Sequence, residues 1–179
     1  MNYMKYFCLV TIIIFLLACS NSPHNDRSGQ LAGMYRLFII ENKDSTGTWQ
    51  EQKWAKGGDG YIIYDGLGHM AVQITPNGYK DFKWLTEEET INRDVVKKKI
   101  DSMSLMDLKA ALVEFSSNYV YVANYSINDT THIVQHNRLS HTIPSAWNTK
   151  VTRSFSFIGD TLVLQVIGGN RRLKWIKQK

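Results

Sequence analysis

The sequence predicts an all-β domain, in which a closed or nearly closed antiparallel sheet carries one helical insertion. From Gly33 onward, apolar and polar residues mostly alternate with period two, which is typical of half-buried strands. Turn residues interrupt this alternation about every 8 to 12 positions. The composition, 44% hydrophobic with 3 prolines in 179 residues, is that of a globular protein. Because closure leaves no unpaired edge, many short strands with few long connections favour a closed sheet.

Nine strands are expected, separated by Gly, Asn, Asp and Ser residues that favour turns. They cover residues 34–40, 48–54, 61–64, 69–75, 119–127, 132–139, 151–158, 161–167 and 171–176. The turns between them include residues 43–47, 57–60, 65–68, 128–130 and 159–160. These elements account for most of the chain after residue 33.

The insertion is expected at about residues 86–116. Thr86 and Glu89 form a Thr-x-x-Glu capping box, which predicts a helix over about residues 86–100. Ser104 is a second helix start, with Asp107 three residues later. An apolar stripe at spacings of three and four follows, made of Leu105, Leu108, Leu112 and Phe115. We expect this stripe to pack against the barrel or across its mouth, either as a lid over a cavity or as a plain insertion that covers one end.

The N-terminus has the order of a secretory signal: one early Lys5, an apolar run over residues 6–17, then small residues. The run is too short to span a bilayer comfortably. Residues 16–19, Leu-Leu-Ala-Cys, resemble the lipobox of bacterial lipoproteins. That resemblance implies cleavage before Cys19 and diacylglyceryl attachment to it. The alternative is an ordinary signal peptide with a cysteine at that position.

The chain is therefore expected to divide into a signal peptide at residues 1–18, a flexible tether at 19–30 and the barrel domain at 31–179. Ser20 stands where an aspartate would, by analogy with enterobacterial sorting, retain a lipoprotein at the inner membrane. We accordingly expect a protein of the bacterial cell envelope, lipid-anchored at Cys19 in the outer membrane and facing the periplasm. The membrane is one expected partner.

Charge and residue usage exclude several classes of site. Removing the leader removes Lys5 and no acid, so the net charge falls from +5 to +4, and the basic residues are mostly dispersed. Nucleic acid is therefore not an expected partner.

Cys8 and Cys19 lie in or beside the leader, which excludes a disulfide framework or a cysteine zinc site in the domain. On a strand, His132 and His136 would be about 13 Å apart, too far to share a metal ion. No metal and no cofactor are expected, and the sequence indicates no oligomeric state.

Several stretches resemble the bacterial lipocalin-like domain family over roughly residues 33–175. Residues 60–74 are similar to its strand pair, with a tyrosine, a turn and then Gly-His-Met, and residues 121–125 resemble its Tyr-x-Gly-x-Tyr strand with Ala123 in place of glycine. A dispersed series follows in the family's order: His136, Ser140, Pro144, Trp147 and Arg153. The resemblance implies a calycin-type antiparallel barrel of about eight to ten strands with an internal cavity and a broad binding role.

One departure concerns the first strand. The family opens it with Gly-x-Trp, whereas this chain has Tyr35 in the position of the tryptophan. We expect the Tyr35 ring to plug the barrel base, with Arg171 or Arg172 stacked on it.

Candidate binding residues lie at positions expected to face the lumen. Tyr121 and Tyr125 share one face of their strand, where hydroxyls can orient a polar group in an apolar cavity. An inward-facing arginine is costly unless paired, so it favours an anionic head group. The predicted ligand-binding residues are Tyr64, Tyr121, Tyr125, His136, Trp147 and Arg153. The alternatives are tyrosines that face solvent or pack under the helix, and an Arg153 exposed on its strand.

The sequence leaves three functions open. The leading one is a membrane-anchored protein that binds a small amphipathic or hydrophobic molecule in the barrel cavity. The second is an enzyme of isomerase or cyclase type, in which His136 and a tyrosine move a proton. The third is a structural envelope lipoprotein whose barrel is filled by its own side chains.

Overall fold

The computed structural model describes residues 27–52, 59–81, 83 and 86–179. The predicted signal peptide, Cys19 and most of the predicted tether lie outside the described residues, as do positions 53 and 54 of the second expected strand. Among the described residues, no helix is both long and apolar enough to cross a membrane.

Nine antiparallel strands form one sheet in the described part of the chain, as predicted. They are β1 (Gly33–Lys43), β2 (Trp49–Glu51), β3 (Asp59–Tyr64), β4 (His69–Thr75), β5 (Tyr119–Asn128), β6 (Ile133–His141), β7 (Lys150–Ile158), β8 (Thr161–Val166) and β9 (Arg171–Lys177). From β3 to β9 each strand pairs with the next, β1 pairs with β3, and β1 also pairs with β9. Strand β1 and strands β3 to β9 make a closed barrel, and β2 pairs with the last three residues of β1.

Strand β1 closes the barrel because it is long enough to pair on both of its edges. Residues 33–36 pair with β3, while residues 35–42 pair with β9. The register with β9 shifts between Leu37 and Ile39, the irregularity of a β-bulge. A bulge bends a strand and increases its twist, which favours closure.

The predicted period-two pattern is confirmed by burial. Ile62 and Tyr64 of β3 are buried, while Tyr61 and Ile63, which alternate with them, are exposed. The other strands contribute further buried residues to the same core, among them Met70, Val72, Ile74, Tyr121, Ala123, Tyr125, Val134, Phe155, Leu162, Leu164, Leu173 and Trp175. The tyrosines of β5 therefore face the barrel interior, not the solvent.

Tyr35 plugs the barrel base as expected, but its cationic neighbour is not the predicted one. Its ring is fully buried, and its hydroxyl donates to the Leu31 carbonyl oxygen at 3.1 Å. Lys177, not Arg171 or Arg172, lies over the ring, with Nζ 5.8 Å from the centroid. The register explains the error, because β1 pairs Tyr35 with Lys177 and places the two arginines at the opposite end of β9.

Arg172 takes a different pair of neighbours at that opposite end. Its guanidinium lies 4.1 Å from the centroid of the Trp49 ring, and its Nε is 2.6 Å from Oε2 of Glu41. Lys174 is 3.0 Å from the same carboxylate oxygen. This hydrogen-bonded contact with Arg172 is the main reason why the pKa of Glu41 lies below its usual range. The ion pairs join β9 to β1 across the barrel closure.

The helical insertion lies between β4 and β5, as predicted. A 3-10 helical turn at Asn77–Asp81 is followed by α1 (Glu87–Thr90), α2 (Arg93–Ser102) and α3 (Leu105–Ser117). The capping box of Thr86 and Glu89 is present, and the Ser104 hydroxyl accepts a hydrogen bond from the Asp107 amide at 3.1 Å. These local bonds satisfy amide groups that a helix start leaves without partners.

The prediction that the apolar stripe of α3 packs against the barrel is wrong. Leu105 and Leu112 are 67% and 66% exposed. Leu108, Leu112 and Phe115 instead line an apolar groove shared with α2. A different face of α3, carrying Val113, Glu114, Ser116 and Ser117, lies across the barrel mouth. The spacing of apolar residues defines an apolar helix face but does not specify which neighbour that face meets.

Candidate functional site

A cavity of about 550 Å³ lies at the barrel mouth, between the strand ends and α3. We call it the mouth cavity. Much of its wall is apolar, from Ile74, Val113, Tyr119, Ile143 and Leu173. Its charged residues are Arg153, Arg171 and Glu114. The arrangement is an apolar chamber with a few ionisable groups, which is the usual composition of a small-molecule site.

Arg153 reaches the mouth cavity from the middle of β7, where it pairs with Val134 on one side and Val166 on the other. The residue is half-buried. Its Nη1 atom is buried and has no hydrogen-bond partner within the described part of the chain. A buried donor without a partner costs about 1–3 kcal/mol, and more when it belongs to a charged group.

Arg171 brings a second guanidinium to the same cavity from the start of β9. Burial is the main cause that lowers the pKa of Arg171, and the positive charge of Arg153 lowers it further. Two guanidinium groups that influence each other in this way create a positive potential in a partly desolvated space. Such a space favours a carboxylate or phosphate group.

His136 lies deeper in the barrel, between two tyrosine hydroxyls. The Tyr64 hydroxyl is 2.9 Å from its Nε2 atom, and the Tyr121 hydroxyl is 2.8 Å from its Nδ1 atom. Tyr125 packs edge-on against Tyr64, with ring centroids 4.8 Å apart. A neutral imidazole has one donor and one acceptor nitrogen, so one tyrosine donates to His136 and the other accepts from it.

The ionisation of this cluster is set by burial. The imidazole is completely buried, and burial together with the charges of Arg153 and Arg138 lowers the pKa of His136 to about 3. Burial raises the pKa of Tyr121 to about 12, although the charge of Arg153 acts in the opposite direction, and burial raises the pKa of Tyr64 well above 10. All three groups are therefore neutral at pH 7.

The described residues leave little open space around this cluster. The cavity between Tyr121, Arg153 and Trp175 measures about 20 Å³, which is room for roughly one water molecule. Arg153 lines both this small space and the mouth cavity. It therefore stands between the tyrosine–histidine cluster and the larger chamber above it.

The structure thus divides the predicted site residues into three groups. Tyr64, Tyr121, Tyr125 and His136 come together in the filled interior, and none of them is among the described residues that line the mouth cavity. Arg153 does line it. Trp147 lies outside the barrel in the turn after β6, where it is 52% exposed and its indole Nε1 donates to the His141 carbonyl oxygen at 2.6 Å.

Sequence reasoning missed two charged residues of the mouth cavity. The sequence predicts Arg171 or Arg172 at the barrel base, and its patterns do not single out Glu114. One feature of the sequence could have indicated Glu114. It lies on α3 but outside the apolar stripe, on a helix face for which the residue pattern predicts no contact. Among the described residues, no group of three or more His, Cys, Asp or Glu side chains could hold a metal ion.

The family of the chain follows from comparison with known proteins. A comparison with curated proteins finds no match. One similar solved structure is that of a lipocalin-like protein from Bacteroides uniformis, at 12% identity and a TM-score of 0.41, covering 84% of this chain and 100% of that one. The profile of the lipocalin-like domain family matches residues 32–175, which include all nine strands except the last two residues of β9. The chain belongs to the lipocalin-like domain family.

Proposed function

We propose that this protein binds a small amphipathic molecule in the mouth cavity and holds the anionic group of that molecule on Arg153. The observation that carries the proposal is the buried Nη1 atom of Arg153, which has no partner in the described part of the chain and belongs to a residue on the cavity wall. A ligand carboxylate or phosphate would supply that partner as a charge-assisted hydrogen bond.

The size and walls of the cavity support an amphipathic ligand. Its volume of about 550 Å³ falls within the range of small-molecule pockets, about 300–1,000 Å³. Ile74, Ile143 and Leu173 offer apolar surface to a tail, while Arg171 adds a second positive charge near the head. The proposed binding site is therefore the mouth of the barrel, and the lumen is not part of it.

The tyrosine–histidine cluster has a supporting role in this proposal. His136 has both ring nitrogens engaged and no exposed surface, so it offers a substrate neither a free base nor access. Tyr121 and Arg153 line the same small internal space, and the charge of Arg153 acts to lower the pKa of Tyr121, so the cluster lies directly beneath the guanidinium. These observations favour binding over the isomerase or cyclase alternative.

The same proposal includes attachment to the envelope through a lipidated Cys19, on the outer membrane and facing the periplasm. Its support is the Leu-Leu-Ala-Cys motif after the apolar leader. More than one acyl chain would make the anchor effectively permanent, because each buried CH₂ contributes about 0.8 kcal/mol.

Titration of a fluorescent fatty acid, such as dansyl-undecanoic acid, tests the binding proposal. Arg153→Met removes a contact worth about 1.5–3 kcal/mol and should weaken binding about 10- to 100-fold. Its empty form should unfold at no lower temperature than wild type, since a partly desolvated charge is replaced by an apolar side chain. Lys150→Met, an exposed cation on the same strand, is the control and should bind as wild type does. Equal binding by Arg153→Met, or no binding by wild type, would overturn the proposal.

A further inference from the structure

The mouth cavity contains a carboxylate as well as two guanidinium groups. Glu114 reaches it from α3, which lies across the barrel mouth. Its Oε2 atom is buried and has no hydrogen-bond partner within the described part of the chain. An ionised carboxylate oxygen in this position requires a donor, because leaving a charged acceptor buried and unpaired is expensive.

The fold makes room for this carboxylate through Gly78. A Cβ atom at position 78 would lie 2.8 Å from Oε1 and 3.0 Å from Cδ of Glu114. The 3-10 turn that carries Gly78 is held against α3 by an edge-on contact between Tyr79 and Phe115, with ring centroids 5.3 Å apart. The Glu114 carboxylate is therefore packed closely against the turn, on the cavity side of α3.

Glu114 and Arg153 do not neutralise each other. Both line the mouth cavity, yet among the described contacts they form no ion pair, and each retains a buried polar atom without a partner. A purely anionic ligand would satisfy the arginine but would be repelled by Glu114. A neutral apolar ligand would satisfy neither group. The cavity offers one acceptor and at least one donor, with apolar walls between them.

We infer that the ligand is a zwitterionic amphiphile, whose anionic group binds Arg153 and whose ammonium group binds Glu114. This inference rests on the proposed function, since it takes the mouth cavity as the ligand site. Two sources share the required chemistry: an α-amino acid head with an apolar tail, and a single-chain lipid with a phosphoethanolamine head. Both have an anion and an ammonium group a few atoms apart on one tail.

Calorimetric titration with two matched pairs tests the inference and separates the sources. One pair is 2-aminodecanoic acid and decanoic acid, and the other is a lysophosphatidylethanolamine and the lysophosphatidylglycerol with the same acyl chain. All four are used below their micelle concentrations. In at least one pair, wild type should bind the amine-bearing member at least tenfold more tightly. The pair that shows the preference identifies the source.

Glu114→Gln should abolish that preference, mainly by weakening the amine-bearing member. Asp101→Asn removes an exposed acid from α2, away from the cavity, and should leave the preference unchanged. Gly78→Ala is a second variant that displaces the Glu114 carboxylate without altering any charge, and it should reduce the preference as well. Thermal melts of each variant show whether the fold is retained.

The outcomes distinguish the inference from the proposal beneath it. In one outcome, the anionic members bind wild type and bind Arg153→Met more weakly, while neither pair shows a preference for its amine-bearing member. In that case the zwitterionic ligand is wrong and the proposed anionic site stands. A preference that persists in Glu114→Gln also overturns the role of Glu114. If none of the four compounds binds wild type, the mouth cavity is not the site and both conclusions fail.

Discussion

The Tyr64 hydroxyl and Nε2 of His136 are 2.9 Å apart in the barrel interior, although the two residues are 72 positions apart in the sequence. Strands β3 and β6, which carry them, are not neighbours in the sheet. The Tyr121 hydroxyl of β5 forms a hydrogen bond with the other ring nitrogen, Nδ1. One imidazole therefore connects three strands, β3, β5 and β6. Because every partner is buried, each of these groups depends on the others to satisfy its hydrogen-bonding potential.

Replacing His136 with leucine should destabilise the fold more than replacing either tyrosine. The substitution leaves the buried hydroxyls of Tyr64 and Tyr121 without their partner, at about 1–3 kcal/mol each. We expect the free energy of unfolding in urea to fall by about 2–6 kcal/mol. Tyr64→Phe, which leaves one ring nitrogen unpaired, should cost about 1–3 kcal/mol. Tyr61→Phe on the exposed face of β3 is the control for loss of a hydroxyl. A His136→Leu protein as stable as wild type would contradict a structural role for the cluster.

The depressed pKa of His136 predicts a loss of stability in acid. The folded pKa is about 3 against an ordinary value of 6.5, so between these values the unfolded chain binds a proton that the folded protein does not. The contribution is complete above pH 6.5 and declines as the pH falls toward 3, by up to about 1.4 kcal/mol per pH unit.

Carboxyl groups with lowered pKa values, such as Asp44 and Asp65 at about 2, act in the same direction at lower pH. The pH dependence of unfolding between pH 6.5 and 4.5 should therefore be shallower in His136→Leu than in wild type. Equal slopes in wild type and His136→Leu would show that the imidazole is not held neutral by the fold.

Gly60 is required for the close approach of β1, β3 and β4. A Cβ atom there would lie 3.0 Å from the Leu37 Cβ atom and 3.1 Å from the Gln73 carbonyl oxygen. Gly60→Ala should lower the free energy of unfolding by about 1–3 kcal/mol, because the crowding involves backbone as well as side chain. Gly29→Ala is the matched control, since a Cβ atom at position 29 would meet nothing within 4 Å. A Gly60→Ala variant that melts with the control would contradict this packing.

Lipid attachment at Cys19 is predicted from the leader and its Leu-Leu-Ala-Cys motif. Cells fed an alkynyl fatty acid should label the wild-type protein, and Cys19→Ala should remain unlabelled and be released from the membrane fraction. Cys8→Ala is the control, because Cys8 lies within the predicted leader and would be removed with it. Equal labelling of wild type and Cys19→Ala would contradict the anchor.

Local patterns by themselves determined much of this architecture. Period-two alternation identified the nine strands, and for β4 the expected bounds agree with the structure at both ends. The capping residues Thr86 and Ser104 were also predictable, because a helix start is specified by hydrogen bonds within three residues. Alternation further indicated that Tyr121 and Tyr125 share the buried face of β5.

Only the tertiary structure decided which distant groups meet. The register of β1 against β9 places Lys177 beside Tyr35, and it places Arg171 at the other end of β9, where it lines the mouth cavity. The residue pattern within either strand does not specify that register. The spacing of apolar residues in α3 defined a helix face but not its neighbour, so the place of Glu114 over the barrel was not predictable. The physical reason is that alternation and capping depend on bonds between near residues. A cavity is instead the space left when the closed barrel and the helix across its mouth pack together. Its shape depends on side chains that are far apart in the sequence.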